Sequence, residues 1–252
     1  MPSGGKEMSD TLGKSKSYIL AQLKNIRSGR IEDRREGKPF VTISRESGAY
    51  GTTVAGLLAE YLRKHERRTN CPWTVFDKDL IKQVIEDYEF PEEFEKYFVE
   101  IPVRPIQDTL EEIFGVHPGQ ETLVQKMNKT IFRLARLGYV ILVGRGANII
   151  TRPLPMGVHV RLIGSLEKRT RHMQEHLKLG DERQAREHVI REQEDRRRYI
   201  RKYFNQDVAD VSLYDLVINT DTVPLDEAVR IVGDFVLRGC ARSSAQVSEA
   251  AS

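Results

Sequence analysis

Residues 44–53 run Ser44-Arg45-Glu46-Ser47-Gly48-Ala49-Tyr50-Gly51-Thr52-Thr53, a stretch of small, glycine and hydroxyl residues between an apolar run and an amphipathic helical pattern. A strand, a tight loop and a helix start in that order make an anion site, because unpaired backbone N–H groups and the helix dipole converge on one point. Arg45, Ser47, Gly48, Gly51, Thr52 and Thr53 are therefore the candidate phosphate-binding residues. Set without gaps against the pattern Gly-x-x-x-x-Gly-Lys-(Ser/Thr), Arg45 stands at the first glycine, Tyr50 at the second and Gly51 at the lysine; only Thr52 matches. An ordinary strand-to-helix turn has the same composition, so the loop by itself does not decide.

Three further groups carry chemistry. Gly144-Arg145-Gly146 follows the apolar run Tyr139–Val143. Its glycines admit a ligand close to the backbone, and a guanidinium grips a phosphate through two parallel hydrogen bonds. Asp77-Lys78-Asp79 follows Trp73–Phe76, where a carboxylate serves equally well as a helix cap or as a group that orients a ligand. Between Arg183 and Lys202 the chain carries a dense run of arginines, interleaved with glutamates at i,i+4 (Glu182–Arg186, Glu187–Arg191, Glu192–Arg196, Glu194–Arg198). That pairing describes a solvated helix. The consecutive Arg196, Arg197 and Arg198 nevertheless outnumber their acidic partners, and Arg191 and Arg198 lie two turns apart on one face with Asp195 between them.

These groups need a scaffold that brings strand ends together. Apolar runs alternating with amphipathic helical stretches from Phe40 onward predict a parallel sheet with crossover helices. Strands are expected at Phe40–Ser44, Trp73–Phe76, Tyr139–Val143, Val158–Ile163 and Tyr214–Asn219. A helix carrying Val54, Leu57, Leu58, Tyr61 and Leu62 on one face follows the first loop. The segment 79–137 is mostly helical, broken by Pro91, Pro102, Pro105 and His117-Pro118-Gly119. A charged helical region spans 165–204, and a last helix runs from Pro224 to Leu237. The fold class is α/β: a five-stranded parallel sheet with helices on both faces and a helical lid over about 180–206. Residues 39–239 form the domain. Residues 1–38 are a polar tail and a basic helix over 11–37, which is either docked on the domain or a homodimerisation arm. Residues 240–252 are expected to be a disordered tail.

Bulk composition narrows the classes. The chain has 252 residues, 39% hydrophobic and 31% charged, which suits one α/β domain with a full core. No run approaches the 18 or so apolar residues of a membrane-spanning helix, and the polar start of the chain lacks the apolar stretch of a secretory signal. Cys71 and Cys240 are far apart and have no metal spacing, as expected in the reducing cytoplasm. A net charge of only +3 argues against nucleic acid as the partner. The histidines form no ligand set for zinc.

Four blocks in order are similar to one family: Ile43–Gly51, Phe76–Ile81, Val143–Ala147, and Asp195–Arg198 with Tyr203-Phe204 followed by Tyr214–Thr220. Over residues 40 to 238 the chain resembles the cytidylate kinase-like family, a branch of the P-loop nucleoside monophosphate kinases with an unusual phosphate loop lacking the lysine. The resemblance implies a P-loop NTPase-like sheet, ATP and Mg2+, and a small-molecule nucleotide substrate. It places Arg45, Ser47, Gly48, Gly51, Thr52 and Thr53 on the donor phosphates, with Thr52 as a metal ligand and Arg45 supplying the missing lysine's charge. Asp77, Lys78, Gly144 and Arg145 fall on the acceptor side. In related cytidylate kinases Gly-Arg-Asp stands where this chain has Gly144-Arg145-Gly146. Arg191, Arg198 and Asp195 become the catalytic group of the lid, held over the transferring phosphoryl group. The implied activity is phosphoryl transfer from ATP to a nucleoside monophosphate, with CMP among the acceptors, or to a similar small molecule. The alternative is a non-catalytic nucleotide sensor on the same fold, suggested by the absent lysine and the absent aspartate.

Overall fold

The computed structural model describes residues 17–18, 21–22, 37–66, 72–77, 79, 81 and 123–250, with 240–250 as backbone alone. Its elements are β1 (Phe40–Arg45), α1 (Gly51–His65), β2 (Thr74–Phe76), α2 (Leu123–Leu137), β3 (Val140–Val143), α3 (Ala147–Ile150), β4 (Gly157–Ile163), α4 (Leu166–Leu177), α5 (Glu182–Phe204), a 3-10 turn (Val211–Leu213), β5 (Leu216–Asn219) and α6 (Leu225–Ala250). The strands form one sheet in the order β2-β3-β1-β4-β5, and every pairing is parallel. This is the expected doubly wound α/β architecture.

The period-2 pattern of β1 sorts its side chains onto two different faces. Val41 and Ile43, with Val158, Val160 and Leu162 of β4, pack against Val54, Leu58 and Leu62 of α1 and Val229, Val232 and Val236 of α6. Each large side chain wholly buried here contributes about 1.5–3 kcal/mol. On the opposite face Phe40, Phe76, Val140 and Leu142 meet Ile131 and Leu134 of α2, Ile150 of α3, and Ile200 and Phe204 of α5.

Toward the carboxyl end of β1 that second face turns polar. Thr42 lies in register with His159, and Ser44 with Arg161. All but Ser44 are buried, so each needs a partner. Thr42 Oγ1 and His159 Nδ1 are hydrogen-bonded at 2.9 Å. Arg161 donates to Ser44 Oγ at 3.2 Å and pairs with Glu46 at 3.9 Å. Burial pushes the His159 imidazole below its ordinary pKa despite the nearby Asp215 carboxylate, so its stability contribution is present in the neutral form and falls away as acid protonates the ring.

The charged helical region expected over 165–204 is present and divides into two helices. Lys178 closes α4 in the left-handed conformation (φ 53), and Asp181 caps α5 by accepting from Arg183 N at 2.8 Å. The stretch from 240 to 250 is helical, where a disordered tail was expected. Its Ala, Ser, Gln and Glu content extends an established helix without a second nucleation cost.

Most of the basic N-terminal helix, with Arg30–Arg35, lies outside the described residues, as do Lys78 and the segment 82–122. Of that N-terminal helix, Tyr18 is buried, donates its hydroxyl to Gly138 O at 2.6 Å and meets Phe76 edge-on. Gln22 donates to Leu137 O at 3.1 Å. Both contacts hold this piece against the chain's own domain. Among the described residues no helix is long and apolar enough to cross a membrane.

Candidate functional site

Arg45 ends β1 and sets the geometry of everything around it. Its stem runs beside Gly51, where a Cβ would stand 2.7 Å from the arginine Cγ, and its guanidinium fills the space in which a side chain at Gly144 would lie. Both positions must therefore be glycine for Arg45 to pass between the loop and the end of β3. The Arg45 pKa is lowered to about 10, chiefly by burial and also by Arg196 and Arg145, with Glu192 and Asp77 opposing.

A cavity of about 390 Å³ opens at this point. Its floor is Thr42–Arg45 of β1, one wall is Val143–Ile149, and the other is α5 from Glu192 to Ile200 together with Val208 and Tyr214. It lies at the carboxyl ends of β1 and β3, where the crevice of an open parallel sheet forms. Arg145 (φ 58) sets its guanidinium 5.5 Å from the centre of the Tyr199 ring. Arg196 pairs with Glu192 at 2.9 Å, yet its Nη1 is buried without a partner. The amide nitrogen of Asn148 and the hydroxyl of Tyr199 are likewise buried and unpartnered. Three guanidinium groups (Arg45, Arg145, Arg196) share this cavity with two partly exposed carboxylates (Glu192, Asp195), a balance that still favours an anion.

The loop turns its side chains away from the cavity. Glu46 Oε2 accepts from Gly164 N at 3.1 Å and pairs with Arg169 at 3.4 Å. Tyr50, the left-handed cap of α1 (φ 57), stacks on His172 with ring centroids 3.7 Å apart. Neither lines the cavity. Arg169 donates to Ser47 O at 3.0 Å, and His172 Nδ1 donates to Gly48 O at 2.8 Å, so α4 braces the loop. The lid helix α5 engages it from the other side. Ser47 N donates to Gln193 Oε1 at 3.0 Å, and the Ser47 hydroxyl bonds Glu192. Beyond Tyr50 lies a second, polar cavity of about 260 Å³ whose lining includes Lys168, Arg169, His172, Thr220 and Asp221.

Of the residues singled out in the sequence, Arg45, Gly144, Arg145 and Asp195 come together on the larger cavity. Ser47 and Gly48 lie in the loop beside it, and Gly51, Thr52 and Thr53 form the first turn of α1, with both threonines exposed. Asp77 accepts from Asp79 N at 3.1 Å in a cap-like turn, while its charge also reaches Arg45. Arg191 and Arg198 are exposed on the outer side of α5, Arg198 paired with Asp195. Asn148, Arg196, Tyr199, Lys168, Arg169 and His172 were not picked out from the sequence. For Arg196 a signal existed: the buried positions Ala185, Val189, Ile200 and Phe204 of α5, continued at helical spacing through the charged run, point Glu192 and Arg196 inward.

Gly146 has φ +72, and a Cβ there would come 2.6 Å from Phe204 Cε2 and 2.7 Å from its Cζ. The position next to Arg145 is thus filled by an aromatic ring from the end of the lid helix. Gly146→Asp is expected to destabilise the protein by about 2–4 kcal/mol, combining backbone strain with overpacking. Urea unfolding measures it, and an unchanged midpoint would show that Phe204 moves aside at no cost.

A family model described as the cytidylate kinase-like family matches residues 40–222. Two curated relatives are cytidylate kinases of Pyrobaculum islandicum, 36% identical over 102 residues, and Pyrobaculum aerophilum, 35% identical over 113 residues. The matches cover 40% and 44% of this chain and 54% and 59% of those proteins, so the chain spans little more than half the length of the curated relatives it matches. Among solved structures, an uncharacterized protein from Eubacterium ventriosum superposes with a TM-score of 0.58 at 23% identity, covering 79% of this chain and 98% of that one. That likeness establishes a shared fold.

Proposed function

The chain belongs to the cytidylate kinase-like family, and from that premise we propose that it is a cytoplasmic enzyme transferring the γ-phosphoryl group of ATP to a nucleoside monophosphate, CMP among them. The observation that carries this reading is the convergence of Arg45, Arg145 and Arg196 on one cavity at the carboxyl ends of β1 and β3. Phosphoryl transfer asks a protein mainly for positioning and charge neutralisation. An oxygen of the acceptor's phosphate attacks the γ-phosphorus, the bond from that phosphorus to the β–γ bridging oxygen breaks, and ADP leaves. Guanidinium groups fixed around the cavity favour the charge spread over the transferring oxygens, because they need no reorganisation to do so.

On the donor side, the loop from Ser47 to Thr53 and the smaller polar cavity beside Tyr50, Arg169 and His172 suit a triphosphate and its nucleoside. The exposed Thr52 hydroxyl at the start of α1 would hold Mg2+ together with the phosphates and water, and the ion would supply neutralising charge for the phosphates. Asp77 and Lys78 complete the acceptor side in this reading. Arg191 and Arg198, on the outer side of α5, act with Asp195 on the transferred group once the lid helix shifts.

The test is a coupled ADP-release assay on the purified chain with ATP, Mg2+ and a panel of nucleoside monophosphates. Turnover is expected with at least one pyrimidine nucleotide; none with any acceptor overturns the reading. A second reading, a nucleotide sensor without catalysis, is favoured by one contact: the Ser47 amide and hydroxyl are both already engaged by α5. ATP binding by calorimetry with no turnover for any acceptor would select it.

A further inference from the structure

The larger cavity has more hydrogen-bonding capacity than a phosphate alone would use. Asn148 stands on α3, three residues after Arg145, and is only 6% exposed. It lines the cavity, and its Nδ2 is buried without a partner. On α5, Tyr199 also lines the cavity; its hydroxyl is buried without a partner, and its ring lies beside the Arg145 guanidinium. A buried polar atom left unpaired costs about 1–3 kcal/mol, and native proteins hold few of them. Two residues that line one cavity, bordering a guanidinium cluster, thus each hold a polar atom that no protein group satisfies. Residue 146 cannot supply such a contact, because Phe204 occupies its side-chain space.

We propose that Asn148 and Tyr199 are specificity-determining residues that hydrogen-bond the uncharged nucleoside half of the acceptor while Arg45, Arg145 and Arg196 hold its phosphate. This rests on the phosphotransfer reading above. It also narrows the acceptor's chemistry. An amide nitrogen donates, and a phenolic hydroxyl donates or accepts, so the bound group presents an acceptor atom to Asn148, such as a base carbonyl, a ring nitrogen or a ribose oxygen. Removing either donor should penalise the nucleotide and spare the bare anion, since a site built to hydrogen-bond a polar group discriminates through that group.

The experiment compares CMP with inorganic phosphate by calorimetry on the full chain. Asn148→Leu, close in volume and apolar, is expected to weaken CMP binding about 10- to 100-fold and leave phosphate affinity within about twofold. Tyr199→Phe, which keeps the ring under Arg145 and removes only the hydroxyl, should show the same split with a smaller loss. It keeps the test open if the leucine variant does not fold. Tyr199→Phe should not melt below the wild type, because the atom it removes had no partner. Wild-type CMP affinity in both folded variants overturns the inference and leaves the phosphotransfer reading standing. Equal losses for CMP and phosphate, or a lowered melting temperature that accounts for the loss, overturn it too. If the wild type binds phosphate but no nucleoside monophosphate, the parent reading fails and this one falls with it.

Discussion

Arg45→Met should lower kcat/KM for phosphoryl transfer by about 10²- to 10³-fold, the loss typical of removing one fixed donor from a charge-stabilising site, while the protein stays folded. The methionine keeps a long apolar stem in the channel between Gly51 and Gly144, so the packing that an alanine would forfeit is largely retained. It also removes a buried charge crowded by Arg145 and Arg196, which offsets the lost partnership with Glu192. Arg45→Lys should recover part of the activity, because the charge returns without the planar fork.

Alkaline titration gives a second handle on the same residue. Its folded pKa of about 10 lies below the ordinary arginine value. Above about 10 the unfolded chain binds a proton that the folded one has released, so this group's contribution to stability rises with pH there. Affinity for a phosphate ester is expected to fall over the same range, because the deprotonated guanidine no longer attracts it. Calorimetry with CMP from neutral pH to above 10 follows that loss. Wild-type kinetics in Arg45→Met would remove Arg45 from the site.

Glu192→Gln is expected to act in the opposite direction on binding. In the free protein the Glu192 carboxylate bonds the Ser47 hydroxyl, pairs with Arg196 at 2.9 Å and faces Arg45. It is an internal anion seated where an incoming phosphate would find the same partners, so any polyphosphate must displace it. Neutralising it should tighten ATP or tripolyphosphate binding by about tenfold, in the range of single charge-pair couplings at interfaces. The same change leaves Arg45 and Arg196 without this counter-charge and should lower the melting temperature. Burial alone would raise the Glu192 pKa, but the Ser47 hydrogen bond and then Arg196, His188 and Arg45 outweigh it, and the net shift is downward. The stability it gives is therefore present above the ordinary value of 4.5 and lost as pH falls through the lower folded value. Melting curves of the variant should lack that acid step. Unchanged or weaker polyphosphate binding would show that Glu192 does not compete for the loop.

The fold was legible because its signals are local and repeated. The run Val140–Val143 is buried on both sides of the sheet, as its lack of alternation implies, and β1 obeys period 2 down to Thr42 and Ser44. The break between α4 and α5 was also written in the chain, as Gly180 followed by the capping Asp181. The site was only half legible. Arg45 and Arg145 announce themselves next to glycines at strand ends. Asn148 gives no sign of itself, since an asparagine just after Gly-Arg-Gly-Ala has the composition of any turn, and its value lies in what it fails to touch. Contacts between elements far apart in the chain, such as Ser47 with Gln193 or Gly146 with Phe204, leave no trace in local periodicity.

Tyr50 and Arg145 both hold left-handed backbone conformations that a side chain adopts at a cost. They sit in the two loops that border the larger cavity. A glycine or asparagine at either would relax the chain and harden the protein against melting, but would remove the ring on His172 or the charge beside Tyr199. Robustness at these two points is thus held below what the backbone alone would allow.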